Sequence, residues 1–544
     1  MYVNLKRLAL FGSMLGLLLL MAGIIYTYNN TTYTANLDSR PFYAGLAGSV
    51  ETLEPGLVST REELLIASAI YEGLVYYDDA AGTLKPLLAR NWKYSADGKS
   101  LIINLKQNVE FHNGKKMQAN DVKASWEKNF STTKDKINIT HFLSITGSRE
   151  RLEGKSTEIS GIQVVDSSTI RVNFDQPNSS FIYMLVNPMF WVFDVDDSAG
   201  TGPFILSENK DNRLFKFSRF DNYHRGVPYL TGVEMTVFND ANQGLKEFQA
   251  GRLDYLDSIP LAEVKNIKAS DQFKKAFVGK PVMNIYAVGF NVNKEPFAGN
   301  YLLRRAINYA IDRKAIADNV LGQGYRPLKG VIPVGTRGYN HDMPGYSYDP
   351  DKAKRLLEES GYLSKPGNKT LILSYNTDEG HRIVAESIAA QLSQIGLEVK
   401  LQAIEWNSYK NHLAHMDLAF FRIGWYADYP DADSFLYSLF HSSNIGISNF
   451  SGYFNPLVDK ILEAARAETK SQQERLKLLN RAEEIIVDDA PFLWLFQKDA
   501  NKLVGENVNS LNLDGREMID WYKVQLVKPP VEEPGTPSPD TQKV

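Results

Sequence analysis

Apolar positions along this chain recur now at helical spacing and now in alternation, so helices and strands are predicted in turn. Leu64, Leu65, Ala67, Ser68 and Tyr71 fall at helical spacing, and past Gly73 the run Leu74 to Asp78 reads as a strand. Leu101, Ile103 and Leu105 alternate after a hairpin turn at Ser95-Ala96-Asp97-Gly98-Lys99. Val122, Trp126 and Phe130, spaced by four, mark one helix face. Asp349 is suited to cap a helix that starts with Pro350, and Gly361 sits where its C-terminal cap belongs. Ile383, Ile388, Leu392 and Ile395 describe a helix ending at Gly396, and Leu397, Val399 and Leu401 then alternate as a strand. Leu457 to Ala467 and Gln472 to Val487 read as helices, and Phe492-Leu493-Trp494-Leu495-Phe496 as a buried strand. Helix-then-strand units of this kind predict α/β lobes with helices on the sheet faces.

One stretch stands apart. Leu418, Ala419 and Phe420 lead a buried strand into Phe421-Arg422-Ile423-Gly424-Trp425-Tyr426-Ala427-Asp428-Tyr429-Pro430-Asp431, which ends in an acidic, aromatic, proline-bearing loop. Arg422, Trp425 and Asp428 thus sit where a strand leaves the core, and Tyr426 and Tyr429 flank the aspartate. A carboxylate among aromatics suits an ammonium group, through charge pairing and cation–π attraction. The same pattern also describes a strand end with a solvated aspartate and packed aromatics.

Composition narrows the choice. At 544 residues two or more lobes are expected. The absence of cysteine excludes disulfides, thiol catalysis, iron–sulfur clusters, cysteine zinc sites and a lipid-modified N-terminal cysteine. A net charge of −4 with no basic block in the body argues against nucleic acid as a partner. Lys6 and Arg7 precede an uncharged run of 19 residues, Leu8 to Tyr26, which reads as an export signal or, preferably, an uncleaved anchor with the body outside the cytoplasm. Residues 29–37 form a tether, and the tail from Lys528, with five prolines in 17 residues, is expected to be disordered.

Motifs of catalysis are missing: there is no Gly-x-Ser-x-Gly, no His-Glu-x-x-His, and Gly98-Lys99-Ser100 has Lys93 where a phosphate loop needs its first glycine. His412 and His415 lie three apart without a third ligand fixed by spacing, and we read them as surface histidines with no metal. Arg304-Arg305 reads as a solvated helix face. No cofactor is called for.

Several motifs stand in a telling order. They are Ile70-Tyr71-Glu72-Gly73-Leu74-Val75, Trp92 with Asp97-Gly98, Val109-Glu110-Phe111-His112-Asn113-Gly114, Ala119-Asn120-Asp121-Val122 and Gly200-Thr201-Gly202-Pro203-Phe204. Asn222 to Pro228 follows, with Tyr223-His224 where a Tyr-Trp pair is usual. Phe290-Asn291 with Pro296-Phe297, Leu303 to Arg313, Asp349 to Leu357 and Trp425 to Asp431 complete the series. Over residues 40–527 the chain resembles the extracytoplasmic solute-binding proteins of peptide ABC transporters, the family of the oligopeptide- and dipeptide-binding proteins.

The resemblance implies a type II periplasmic-binding-protein fold: two hinged lobes plus an extra, cluster C-like subdomain, behind an N-terminal hydrophobic helix. It places lobe 1 at 38–282 with 500–527, its subdomain at about 66–185, and lobe 2 at 283–499. Hinge strands are expected near Val288-Gly289-Phe290 and Gln497-Lys498-Asp499. By position Asp428 pairs with a peptide's α-ammonium, and Arg422 and Trp425 align with a site arginine and tryptophan. The implied partners are a peptide and the permease of an ABC importer, with the protein a monomer. Another solute on the same fold, such as a nickel chelate, haem, an oligosaccharide or a murein peptide, is the first alternative. A membrane-tethered sensor is the second, and a peptidase comes third.

Overall fold

The computed structural model describes residues 37–322, 324–366 and 370–528. The hydrophobic segment at Leu8–Tyr26, nearly all of the tether and the proline-rich tail lie outside these residues. Among the described residues no helix is long and apolar enough to cross a membrane.

Twelve strands form the spine. In chain order they are β1 (Phe42–Ala47), β2 (Phe204–Lys210), β3 (Leu214–Arg219), β4 (Gly232–Phe238), β5 (Tyr255–Leu256), β6 (Phe277–Pro281), β7 (Asn284–Phe290), β8 (Tyr325–Pro327), β9 (Thr370–Asn376), β10 (Glu398–Ile404), β11 (Phe420–Tyr426) and β12 (Phe492–Val504). Their spatial order is β10-β9-β11-β7-β12-β5-β1-β4-β3-β2, with β6 and β8 also on β12.

Strand β12 is the joint. Its first half pairs with β7, Val288 opposite Leu493, while its second half pairs with β6, Val278 opposite Lys502, and with β5. The apolar run predicts a strand that stops at Phe496, but β12 continues through Gln497, Lys498 and Asp499. Those polar groups are satisfied inside the sheet. The Gln497 amide donates to the Val282 and Val334 carbonyls at 2.8 Å each, and the Lys498 N–H donates to Asn284 Oδ1 at 2.9 Å. The other connection between the halves lies between Pro281 and Asn284. Val288, Gly289 and Phe290, on the strand that follows this connection, pair with both β11 and β12.

Each half has its own core. Phe42, Ala44 and Leu46 pack with Val233, Met235 and Phe217 on one side of the joint. On the other, Phe421, Ile423 and Trp425 pack against Phe435, Leu436, Leu439 and Phe440 of a following helix, Asp433–Phe440. The opposite face of that half buries Phe290, Phe420, Leu373, Ile388 and Leu392. A four-stranded antiparallel sheet, which includes Ser100–Leu105 and Thr169–Asn173, buries Leu101, Ile103 and Leu105 against Val122, Trp126 and Phe130 of the helix Ala119–Thr132. We refer to this sheet and helix, with their separate core, as the subdomain.

Signals that depend only on near neighbours hold in the structure. Asp349 accepts from the Lys352 N–H at 2.9 Å, Pro350 opens the helix Pro350–Glu359, and Gly361 takes a φ of 67° just past its end. The expected solvated pair Arg304-Arg305 is a correction. Arg304 is buried, and its guanidinium donates to the carbonyls of Phe297, Asp489 and Ala490 at 2.9, 2.8 and 3.1 Å. It closes the end of the helix Gln472–Asp489, whose last carbonyls have no partner within the helix.

Candidate functional site

Strand β11 sorts its side chains by the period of two. Phe421, Ile423 and Trp425 go into the core, and Arg422, Gly424 and Tyr426 take the other face. The Trp425 indole donates to the Ser434 carbonyl at 3.0 Å, so this tryptophan braces the loop from below. Arg422 lies over the Tyr286 ring, 4.8 Å from its centroid, and its buried Nε has no partner. Gly424 makes room for it: a Cβ there would come within 2.8 Å of Arg422 Nη2. The Tyr286 hydroxyl lies 3.2 Å from His381 Nδ1. Burial, with the nearby Arg422 charge, brings the His381 imidazole down to about 4. Tyr426 ends the strand with 58% of its surface exposed.

The loop after β11 then presents Asp428. Its N–H donates to Ser434 Oγ at 2.9 Å and its carbonyl accepts from Asn187 Nδ2 at 3.4 Å, so the backbone is held from two sides. The carboxylate is one-fifth exposed, at 20%. Its Oδ2 is buried and has no hydrogen-bond partner. Burial lifts this carboxyl to about 7, Asp135 adding to the effect and Arg516 opposing it. His141 Nε2 lies 3.9 Å from Asp428 Oδ2 and is likewise buried without a partner.

Two buried ion pairs fix the loop downstream. Asp431 accepts from both terminal nitrogens of Arg475, and Asp433 accepts from Arg466 at 2.8 Å and from the Tyr429 hydroxyl at 2.7 Å. Burial alone would raise the Asp433 carboxyl, but Arg466 keeps it below the usual range. Such bidentate pairs hold a loop in one geometry.

The five residues singled out from sequence therefore divide. Tyr426 is exposed, the Asp428 carboxylate is one-fifth exposed, and Arg422 is partly buried over Tyr286 on the face that carries Phe420 and Val288. Trp425 sits in the core beneath them, and Tyr429 is packed into the subdomain core at 1% exposure. His141, Asn187 and Ser434 were not singled out, and no local pattern marks them, since long-range folding alone brings them to Asp428. His412 and His415 are exposed, His412 beside Asp417 at 3.3 Å. A cavity of about 910 Å³ between the subdomain and the helix Pro456–Ala467 is lined in part by His141, Tyr429 and Arg466. A second, of about 490 Å³, is lined in part by Tyr76, Trp191, Arg225 and Arg516.

This architecture has known counterparts. The chain is 28% identical over 456 residues to heme-binding protein A of Haemophilus influenzae, covering 78% of this chain and 81% of that one. It is 27% identical over 513 residues to the oligopeptide-binding protein OppA of Bacillus subtilis, covering 89% and 91%. The structure of the Escherichia coli murein tripeptide binding protein MppA superposes with a TM-score of 0.74 at 24% identity, over 91% of this chain and 99% of that one. A family model, bacterial extracellular solute-binding proteins, family 5 Middle, matches residues 83–446. With two thirds of its length inside that model, the chain belongs to the bacterial extracellular solute-binding proteins of family 5.

Proposed function

We propose that this protein captures peptides by their free amino end between two lobes and delivers them to the permease of an ABC importer. One observation carries the reading: Asp428 presents a buried carboxylate oxygen with no partner, on a loop otherwise held by hydrogen bonds and ion pairs. An unpartnered buried acceptor is costly unless something completes it. A ligand ammonium does so with charge as well as a hydrogen bond. Arg422, six residues earlier at the start of the same stretch, offers positive charge to ligand carbonyls or a carboxylate. Peptides of any sequence share these groups, so the site accepts many of them.

Lobe 1 is 38–282 with 500–527, carrying the subdomain 66–185, and lobe 2 is 283–499. The change of partners along β12 supports a hinge there, and closure follows if ligand binds the closed form better. The uncharged run Leu8–Tyr26 behind Lys6 and Arg7 supports anchoring on the outer face of the membrane.

Calorimetry with short peptides and their N-acetylated forms tests the reading, since equal affinity for both would remove Asp428 from its role. The similarity to heme-binding protein A favours a second reading, in which the solute is heme. Saturable heme binding that free-amine peptides fail to displace would decide for it.

A further inference from the structure

Two buried, unpartnered polar atoms, His141 Nε2 and Asp428 Oδ2, face one another at this site. His141 stands where the helix Lys136–Thr140 ends, its side chain 4% exposed. The 3.9 Å between His141 Nε2 and Asp428 Oδ2 is too long for a hydrogen bond between them. It is short enough for one nitrogen to sit at about 2.9 Å from both. The imidazole meets the Tyr429 ring edge-on, with centroids 6.1 Å apart at 80°. Burial, with the Arg466 charge beside it, holds the imidazole neutral down to about pH 4. A neutral ring protonated on Nδ1 leaves a lone pair on Nε2.

We propose that His141 is the second acceptor for the ligand's amino group, so that the site reads the number of N–H bonds on the ammonium as well as its charge. This rests on Asp428 being the amine anchor. His141 comes from the subdomain and Asp428 from the loop after β11, so one bound ammonium ties the two bodies together. Nothing in the sequence places His141 at the site, because 287 positions separate it from Asp428 and only the fold joins them.

The experiment uses alanine peptides of two to five residues with free, N-methyl, N,N-dimethyl and N-acetyl termini, titrated calorimetrically into the protein at pH 7.5. The first three keep the charge and remove N–H bonds one at a time. Wild-type protein binds the N-methyl peptide about as well as the free one, because two N–H bonds remain. It loses about tenfold or more at N,N-dimethyl, where only one remains. In His141→Phe the free peptide binds about tenfold more weakly, and N-methyl and N,N-dimethyl peptides bind alike. His141→Gln, which keeps an acceptor oxygen, recovers part of the loss.

Equal wild-type affinity for N-methyl and N,N-dimethyl peptides overturns the proposal without any variant. So does a folded His141→Phe protein with an unchanged methylation series. Asp428→Asn separates the two claims. If it abolishes the preference for a free amine while His141→Phe changes nothing, only the role of His141 falls. If neither matters, or no peptide of the series binds, the amine reading falls with it.

Discussion

Arg475 and Asp431 form a bidentate ion pair at 2.8 and 2.7 Å with neither side chain exposed. Arg475 Nη2 also donates to Ser180 Oγ at 2.7 Å, so one guanidinium joins the loop of Asp428 to the subdomain. Removing Arg475 leaves the buried Asp431 carboxylate with only the Asp433 N–H at 3.0 Å and Arg337 at 3.8 Å. Arg475→Met is expected to cost about 3–5 kcal/mol in urea unfolding. Replacing both members by apolar residues of similar volume is expected to cost far less than two single changes summed. A loss under about 1 kcal/mol for the single change would show that the pair does not hold the loop.

Gly200 and Gly202 meet the backbone of Ile70. A Cβ on Gly200 would come 2.0 Å from the Ile70 carbonyl oxygen, and one on Gly202 would come 2.6 Å from it. No side-chain movement relieves a clash with backbone. Gly200→Ala is expected to lower stability by about 1–3 kcal/mol or more, with a matching fall in Tm, while Ala at the exposed Gly251, which has open space around it but a φ of 71°, costs less. Equal effects at the two glycines would contradict the packing argument.

Burying the guanidinium of Arg304 satisfies three carbonyls at once, two of them at or just past the end of the helix Gln472–Asp489. Arg304→Leu keeps the bulk and loses the donors, and a cost of about 2–4 kcal/mol is expected from unsatisfied buried carbonyls. Arg305→Leu, on the partly exposed neighbour, is expected to stay within about 1 kcal/mol. Urea unfolding of the two variants checks the contrast.

The difference between these arginines also marks how far the sequence can be read. Local chemistry was legible: the Asp349 cap, the Pro350 start, the hairpin at Asp97-Gly98 and the Trp126 face all depend on neighbours within a few residues. What depends on distant partners was not. Arg304 and Arg305 look alike as a charged doublet, and only the end of a helix some 185 positions away separates them. Trp425 and Tyr429 read as site aromatics because the loop around them is polar and aromatic, yet two different cores claim them. The polar residues Gln497 to Asp499, past the end of the apolar run, are carried on in the strand by partners that lie in other segments. Asp428 stands out locally as a carboxylate in a turn-prone aromatic loop, and only the resemblance gives it an ammonium to hold. Its facing histidine does not stand out.

Proton linkage gives the site a pH signature. In the empty protein burial, with Asp135 nearby, raises the Asp428 carboxyl to about 7, above its ordinary value. An ammonium needs the ionised form, so affinity for free-amine peptides falls as pH drops below 7, approaching about tenfold per unit. Above about pH 8 the peptide's own amine loses its proton and affinity falls again, so the profile is a bell with its maximum between about 7 and 8. The stability sign is opposite for the empty protein. Because the folded value is raised, the ionised carboxylate is the disfavoured form, and stability from this group is lost as pH rises through about 7. Asp428→Asn is therefore expected to stabilise the empty protein above pH 7 and to make no difference near pH 4. Calorimetric titrations and urea unfolding across pH 4–9 check both halves.

The most direct test replaces the carboxylate itself. Calorimetry at pH 7.5 compares wild-type protein and Asp428→Ala against one peptide with its amino end free and then acetylated. The account predicts that wild type binds the free form at least about thirtyfold more tightly than the acetylated one, a preference of about 2 kcal/mol or more, and that Asp428→Ala loses it. If the variant captures the unblocked peptide as tightly as wild type does, the amine anchor lies elsewhere and the account is contradicted.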